Sequence, residues 1–248
     1  MDFFNQGIPL GRWFGITVVI HWTFLLYAAD KVMRRDPALP VWFTVMYIVL
    51  LFGTVLVHEF GHALSCKAMG GEAIHIVLWP LGGIAFVKPP MNPWAWLVTT
   101  ACGPLVNAIL WPTFWAINTY GIADTVPTSQ LQLMLQVGCQ LMEDINRLLL
   151  LFNLIPAYPM DGGRLLQELL WIFIGYGRSL MIAGMVGTVA GVGFIVLGLG
   201  LTSIHIPVVN FTLGGGINVM LAVIGLLCAM QSFAIYQRSQ EIAGWKKN

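Results

Sequence analysis

Residues 51–66 read LFGTVLVHEFGHALSC, an apolar stretch without proline that carries two histidines and a glutamate at its centre. A continuous helix through it places His58 and His62, four positions apart, on one face with Glu59 beside them. Ionisable groups are costly inside so apolar a helix unless they are paired or used. Independent placement of the chain's histidines and glutamates would produce His-Glu-x-x-His roughly 0.002 times. Two imidazoles converging on one metal ion explain the pattern better than two hydrogen-bonded core histidines. Zinc suits neutral His nitrogens, and a catalytic ion keeps one position open for water, so two histidines are too few ligands.

The surrounding sequence is equally apolar. Of 248 residues, 58% are hydrophobic and 9% charged, against roughly 25% charged in a soluble domain. The chain belongs in a bilayer, and several apolar runs approach the ~20 residues that a helix needs to cross hydrocarbon. The expected fold is an all-α polytopic membrane protein, one integral membrane domain over residues 1–248 with a catalytic core at about 41–177. Hydropathy predicts about six spans, at about 16–32, 41–66, 95–118, 133–156, 180–201 and 215–236. Between the second and third, GGEAIHIVLWPLGGIAFVKPP (residues 70–90) alternates in polarity and is punctuated by Gly-Gly and Pro. A small membrane-embedded β-hairpin fits it better than another helix. Non-helical backbone at that depth must be covered by protein or line a wet cavity.

A net charge of +1, with basic residues scattered at the ends of apolar runs, excludes broad attraction for nucleic acid. Cys66, Cys102, Cys139 and Cys228 show neither zinc-site spacing nor a compact disulfide pattern and read as small packing residues. The opening MDFFNQGIPLGRWFG lacks the layout of a cleaved secretory signal. Counting basic residues places both termini in the cytoplasm, with Arg12, Lys67, Lys88, Arg164, Arg178, Arg238, Lys246 and Lys247 inside and Lys31, Arg34 and Arg35 outside. His58 and His62 then lie toward the cytoplasmic face, and the expected location is the cell membrane.

A third ligand should be a His, Glu or Asp able to reach the same depth. Asp161, in NLIPAYPMDGGR (residues 153–164), qualifies because Pro156 and Pro159 break the helix and Gly162 and Gly163 let the backbone turn. An Asp before a helix is equally a helix cap, and the two readings stand level on these residues alone.

With these elements together, the sequence resembles the site-2 protease family of intramembrane zinc metalloproteases. HEFGH matches its HExxH element, and NLIPAYPMDGGRLL its Asn/Pro-rich segment ending in Asp-Gly. ACGPLVN (residues 101–107) resembles its Gly-x-x-x-Asn element, and LGGI (residues 81–84) lies where members carry a Gly-Gly turn. The resemblance covers residues about 50–170. It implies one catalytic Zn2+ held by His58, His62 and Asp161, with Glu59 as general base and acid. It also implies a substrate-binding or site-supporting role for Asn107 and Asn153, for which helix-helix hydrogen bonding in the bilayer is an equal reading, and a substrate contact at Gly82 and Gly83. The partners implied are the lipid bilayer and membrane proteins with a transmembrane segment. Such a substrate must unwind locally before cleavage, and the extended segment at about 73–87 could pair with it as an added strand. The chain resembles the compact six-span type, without an inserted PDZ-like domain or a CBS-type domain.

Two other functions compete: a membrane zinc transporter or sensor, and an inactive relative that retains membrane proteins. Neither gives Glu59 an obvious task. The remaining polar features have plainer readings. His21 suggests interhelical hydrogen bonding, His75 and His205 surface positions, and Glu143, Asp144 and Arg147 an internal ion pair. Trp13, Trp22, Trp42, Trp94, Trp96 and Trp245 read as interface anchors, and the glycines of residues 187–200 as a close helix contact.

Overall fold

The computed structural model describes residues 7–80, 82–122, 125–206 and 211–245. The chain divides into two compact units, Met1–Leu151 and Phe152–Asn248. Leu81, Lys246 and Lys247 lie outside the described residues, as does the side chain of Trp245.

The first unit opens with a hairpin, β1 (Gly7–Trp13) and β2 (Ile16–His21). Its two turn residues, Phe14 and Gly15, have φ of 52° and 78°, positive at both positions as the twist of a tight hairpin requires. Hydropathy alone suggested a spanning helix at about 16–32, but Ile16–Ile20 is an unbroken β-branched run and forms a strand. The helix that follows, α1 (Trp22–Met33), has 12 residues and rises about 18 Å, short of the ~30 Å hydrocarbon layer. His21 ends β2 and caps α1, its Nδ1 accepting from the Thr23 amide at 3.4 Å.

Helix α2 (Val41–Ala68) leads into β3 (Glu72–Trp79) and β4 (Gly82–Lys88), the hairpin expected from the alternating sequence. This hairpin belongs to a larger sheet in the order β1-β2-β3-β4. Since β2 and β3 run parallel, their connection has to cross over, and α1 and α2 provide it. Ile16, Val18, Ile76 and Leu78 of the sheet share one core with Ile48, Phe52, Val55, Phe60 and Ala63 of α2. Those α2 positions, three to five residues apart, mark the helix face turned to the sheet.

Helix α3 (Pro93–Ala116) starts under the Asn92 side chain, which accepts from the Trp94 amide at 2.9 Å, and passes into a π-helical turn, Ile117–Ile122. Helix α4 (Gln130–Asn153) follows. Its acidic residues divide differently from the expected ion-pair cluster. Asp144 takes Arg147 at 2.7 Å on the partly exposed side, whereas buried Glu143 accepts from Asn118 Nδ2 at 2.5 Å.

In the second unit, a proline-rich connection leads to α5 (Asp161–Ile174), α6 (Tyr176–Gly198), the hairpin β5 (Ser203–Ile206) and β6 (Phe211–Gly214), and α7 (Val219–Trp245). Gly184, Gly191 and Gly198 recur every seventh residue of α6. A Cβ at any of them would strike α7 backbone, at Tyr236, Ala229 and Ala222 respectively. The glycine run thus brings two helices into backbone contact, the close approach that small residues permit in lipid.

Among the described residues, four helices are long and apolar enough to cross a membrane, at 41–68, 93–122, 176–198 and 219–242. They make the chain an integral membrane protein. Of the two other expected spans, the first is a strand and a short helix. The second is the long helix α4, made less apolar by its glutamines and by Glu143, Asp144 and Arg147.

Candidate metal centre

His58, Glu59 and His62 are all buried on α2. Helical spacing brings the two imidazoles together, with Nε2 3.2 Å from Nε2 and the rings near perpendicular at 81°. Each ring is held by its other nitrogen. His58 Nδ1–H donates to Asn107 Oδ1 at 2.6 Å, and His62 Nδ1–H donates to the Thr99 carbonyl at 2.9 Å. An amide oxygen and a carbonyl only accept, so both protons belong on Nδ1 and both neutral rings turn an Nε2 lone pair inward. Two lone pairs facing at this distance repel unless a cation lies by them. A His that anchors its Nδ1–H and offers Nε2 is the arrangement of a metal ligand, and the donor set therefore fits a zinc ion.

The approach of α3 depends on absent side chains. A Cβ on Gly103 would overlap the His62 ring, and one on Gly61 would strike the Cys102 carbonyl. Gly61 and Gly103 together let the helices close until Thr99 and Asn107 reach the histidines. Asn107 is fully buried, and its Nδ2 donates to Asn146 Oδ1 at 2.9 Å. Its amide thus engages His58 at one end and α4 at the other.

Glu59 faces the sheet. Its Oε2 accepts the Ala85 amide hydrogen of β4 at 2.8 Å, and a Cβ on Gly83 would overlap its side chain. Gly83 therefore makes room for the carboxylate, while neighbouring Gly82, at φ 137°, holds a turn conformation that other residues rarely adopt. His75 stacks on Phe86 with centroids 4.2 Å apart in the sheet, and burial pushes its imidazole below the usual range, toward the neutral form.

Asn153 and Asp161 belong to the second unit. Asn153 is the last residue of α4. Asp161 is buried and is the first helical residue of α5, one place inside the cap position, which Met160 occupies with extended backbone and no side-chain cap bond. Gly162 and Gly163 let the preceding segment fold tightly against the helix start: a Cβ on either would meet backbone of residues 154–158. Tyr158 is anchored by its amide, which donates to Ser232 Oγ on α7 at 3.0 Å. Its bond to Pro159 is cis. Burial raises the Tyr158 hydroxyl well above its ordinary range.

The residue that sequence reading passed over is Asn146, buried in α4 and bonded to Asn107. A buried polar residue in a membrane helix was its signal. Thr99 acts through its backbone and left no trace in its identity.

No family model matches the chain. A protein of Synechocystis sp. named as a candidate zinc metalloprotease is 32% identical over 80% of this chain and 53% of its own length. A zinc metalloprotease of Methanocaldococcus jannaschii is 33% identical over 84% of this chain and 58% of its own. Rip3 of Mycobacterium tuberculosis, named likewise as a candidate zinc metalloprotease, is 30% identical over 79% and 52%. The chain thus spans about half the length of these relatives. The solved site-2 protease from Methanocaldococcus jannaschii superposes with a TM-score of 0.59 at 25% identity, over 93% of this chain and 95% of that one. With its HEFGH helix, its four-stranded sheet and this shared fold, the chain is similar in sequence and fold to the site-2 protease family of zinc metalloproteases.

Proposed function

We propose that this chain is an intramembrane zinc metalloprotease that hydrolyses peptide bonds in or near transmembrane segments of membrane proteins. In this reading His58, His62 and Asp161 hold the ion and Glu59 is the general base and acid. The observation that carries it is the pair of Nε2 atoms 3.2 Å apart, each on a ring whose Nδ1–H is already committed. Asp161 supplies the anionic third ligand. It is buried at the first position of α5.

When bound, zinc supplies a Lewis acid that polarises the scissile carbonyl and acidifies water. Glu59 takes the proton of the attacking water and returns it to the departing amine. The Ala85 amide holds the carboxylate in place for both transfers.

The same bond suggests where substrate lies. Among the described residues no strand pairs with the far side of β4, and Ala85 turns its N–H to that side, onto Glu59. By the alternation of a strand, Gly83 and Val87 present their backbone there too. An unwound substrate segment pairing along this edge would satisfy its own backbone and bring a carbonyl beside Glu59. In this reading Gly82 and Gly83 keep the edge free of side chains, Asn107 supports His58, and Asn153 is a further substrate-contacting residue. The basic residues favour a cell-membrane location with the site toward the cytoplasm.

The test is cleavage of single-span substrates in proteoliposomes by the parent protein, by Glu59→Gln and by chelator-treated protein. Only the untreated parent is expected to cleave. Equal cleavage by all three removes the mechanism, and zinc flux retained by Glu59→Gln points to transport instead.

A further inference from the structure

We propose that Asn146 is a positioning residue which sets the tautomer of His58 through Asn107, and with it the nitrogen that His58 offers a metal. The significance of that nitrogen rests on the metal-binding reading above.

The reasoning starts from an atom with a single possible role. The Met142 backbone carbonyl can only accept, and Asn146 Nδ2 lies 2.7 Å from it and donates. The other end of the Asn146 amide, Oδ1, must then accept, and it does so from Asn107 Nδ2 at 2.9 Å. That contact turns Asn107 Oδ1 toward His58, 2.6 Å from Nδ1. An oxygen in that place requires the hydrogen on Nδ1, so the lone pair stays on Nε2. If Asn107 were reversed, as a reversed Asn146 would favour, an NH2 group would face Nδ1. The imidazole would then favour a hydrogen on Nε2, where it cannot serve as a ligand.

An isolated asparagine has two orientations of nearly equal shape, so Asn107 alone does not decide the matter. Burial makes the decision firm. Asn107 and Asn146 are both 0% exposed, where a mismatched donor or acceptor carries its full desolvation penalty. His62 needs no such chain, because its Nδ1 meets the Thr99 carbonyl directly. The two histidines of one motif are therefore oriented by different means: His62 by the backbone of α3, and His58 by side chains of α3 and α4 in series.

Two measurements on purified protein test this: the His58 tautomer in metal-free protein, from 15N spectra of histidine-labelled samples, and zinc affinity by chelator competition. Asn146→Leu and the smaller Asn146→Ala should each admit the second tautomer and weaken zinc binding by about tenfold, the low end of the effect of a group behind a ligand. Asn146→Asp, protonated at this buried site, can donate to Met142 and accept from Asn107 as the amide does. It should retain the parent tautomer and most of the affinity. Folded Leu or Ala variants with the parent's tautomer overturn the proposal. So does an equal loss in the Asp variant, which would mark a packing role. A parent that binds no zinc, yet shows the Asn146-dependent tautomer, upholds the positioning role and refutes the metal reading alone.

Discussion

Adding one methyl group at Gly83 should abolish the proposed peptide-bond cleavage without removing the metal. The new Cβ would overlap Glu59 Cγ and stand 2.9 Å from both Cδ and Oε1, too close for any of them to remain. What yields is the outer part of a flexible side chain rather than backbone, so the carboxylate swings aside and gives up its 2.8 Å bond from Ala85. Overpacking a tight site costs about 1–3 kcal/mol, and the mobility of Glu59 places this substitution at the low end. The catalytic loss is larger. Proton transfer by a placed group contributes about 10²–10⁴-fold, and a displacement of about 1 Å can forfeit 10²-fold of it. Gly83→Ala should therefore lower kcat for a single-span substrate by about 10²-fold. Zinc content and melting temperature should stay close to the parent's. Gly103→Ala provides the contrast, because its Cβ would strike the His62 ring and should strip the metal. Cleavage at the parent rate by Gly83→Ala would refute the claim that β4 holds Glu59, and zinc loss in that variant would show that the carboxylate belongs to the ligand set.

Further outcomes follow from the same geometry. Glu59→Gln should lose about 10²–10⁴-fold in kcat and keep its zinc, checked by metal analysis beside the cleavage assay. Asp161→Ala should release zinc at chelator concentrations that leave the parent loaded; unchanged affinity would exclude it as a ligand. Val87→Pro removes one outward N–H from the β4 edge and should reduce kcat/KM by about tenfold, roughly the worth of one hydrogen bond in a dry site. No change there would argue against strand addition. Gly191→Leu should push α6 from α7 and destabilise the second unit by about 1–3 kcal/mol or more, read from denaturation in detergent.

The parts of this molecule legible in its sequence are those where one local rule acts alone. HEFGH needs only helical spacing to bring two imidazoles together, and the alternation of residues 72–88 with its Gly-Gly suffices for β3 and β4. The glycines of α6 likewise announce a close helix contact. Hydropathy failed where two rules compete: ITVVIH is apolar enough for a span, but its β-branched residues make a strand. Sequence spacing suggested Glu143 and Arg147 as partners, yet Glu143 turns inward to Asn118, a partner 25 positions away that no local rule supplies. Asn146 was hidden for a similar reason, since its meaning comes from α3. That His58, His62 and Asp161 form one ligand set is the proposal that family likeness and donor chemistry support.

The parallel alignment of β2 with β3 bears on how the protein is made. During synthesis β2 leaves the ribosome long before its neighbour, and the whole of α2 intervenes. The edge that steadies Glu59 is therefore assembled only after the helix carrying that carboxylate has been laid down. Biogenesis thus delays the support of Glu59 until the histidine helix exists, and a nascent chain halted before β4 would carry His58 and His62 with neither the strand that holds Glu59 nor the α3 groups that orient the two rings.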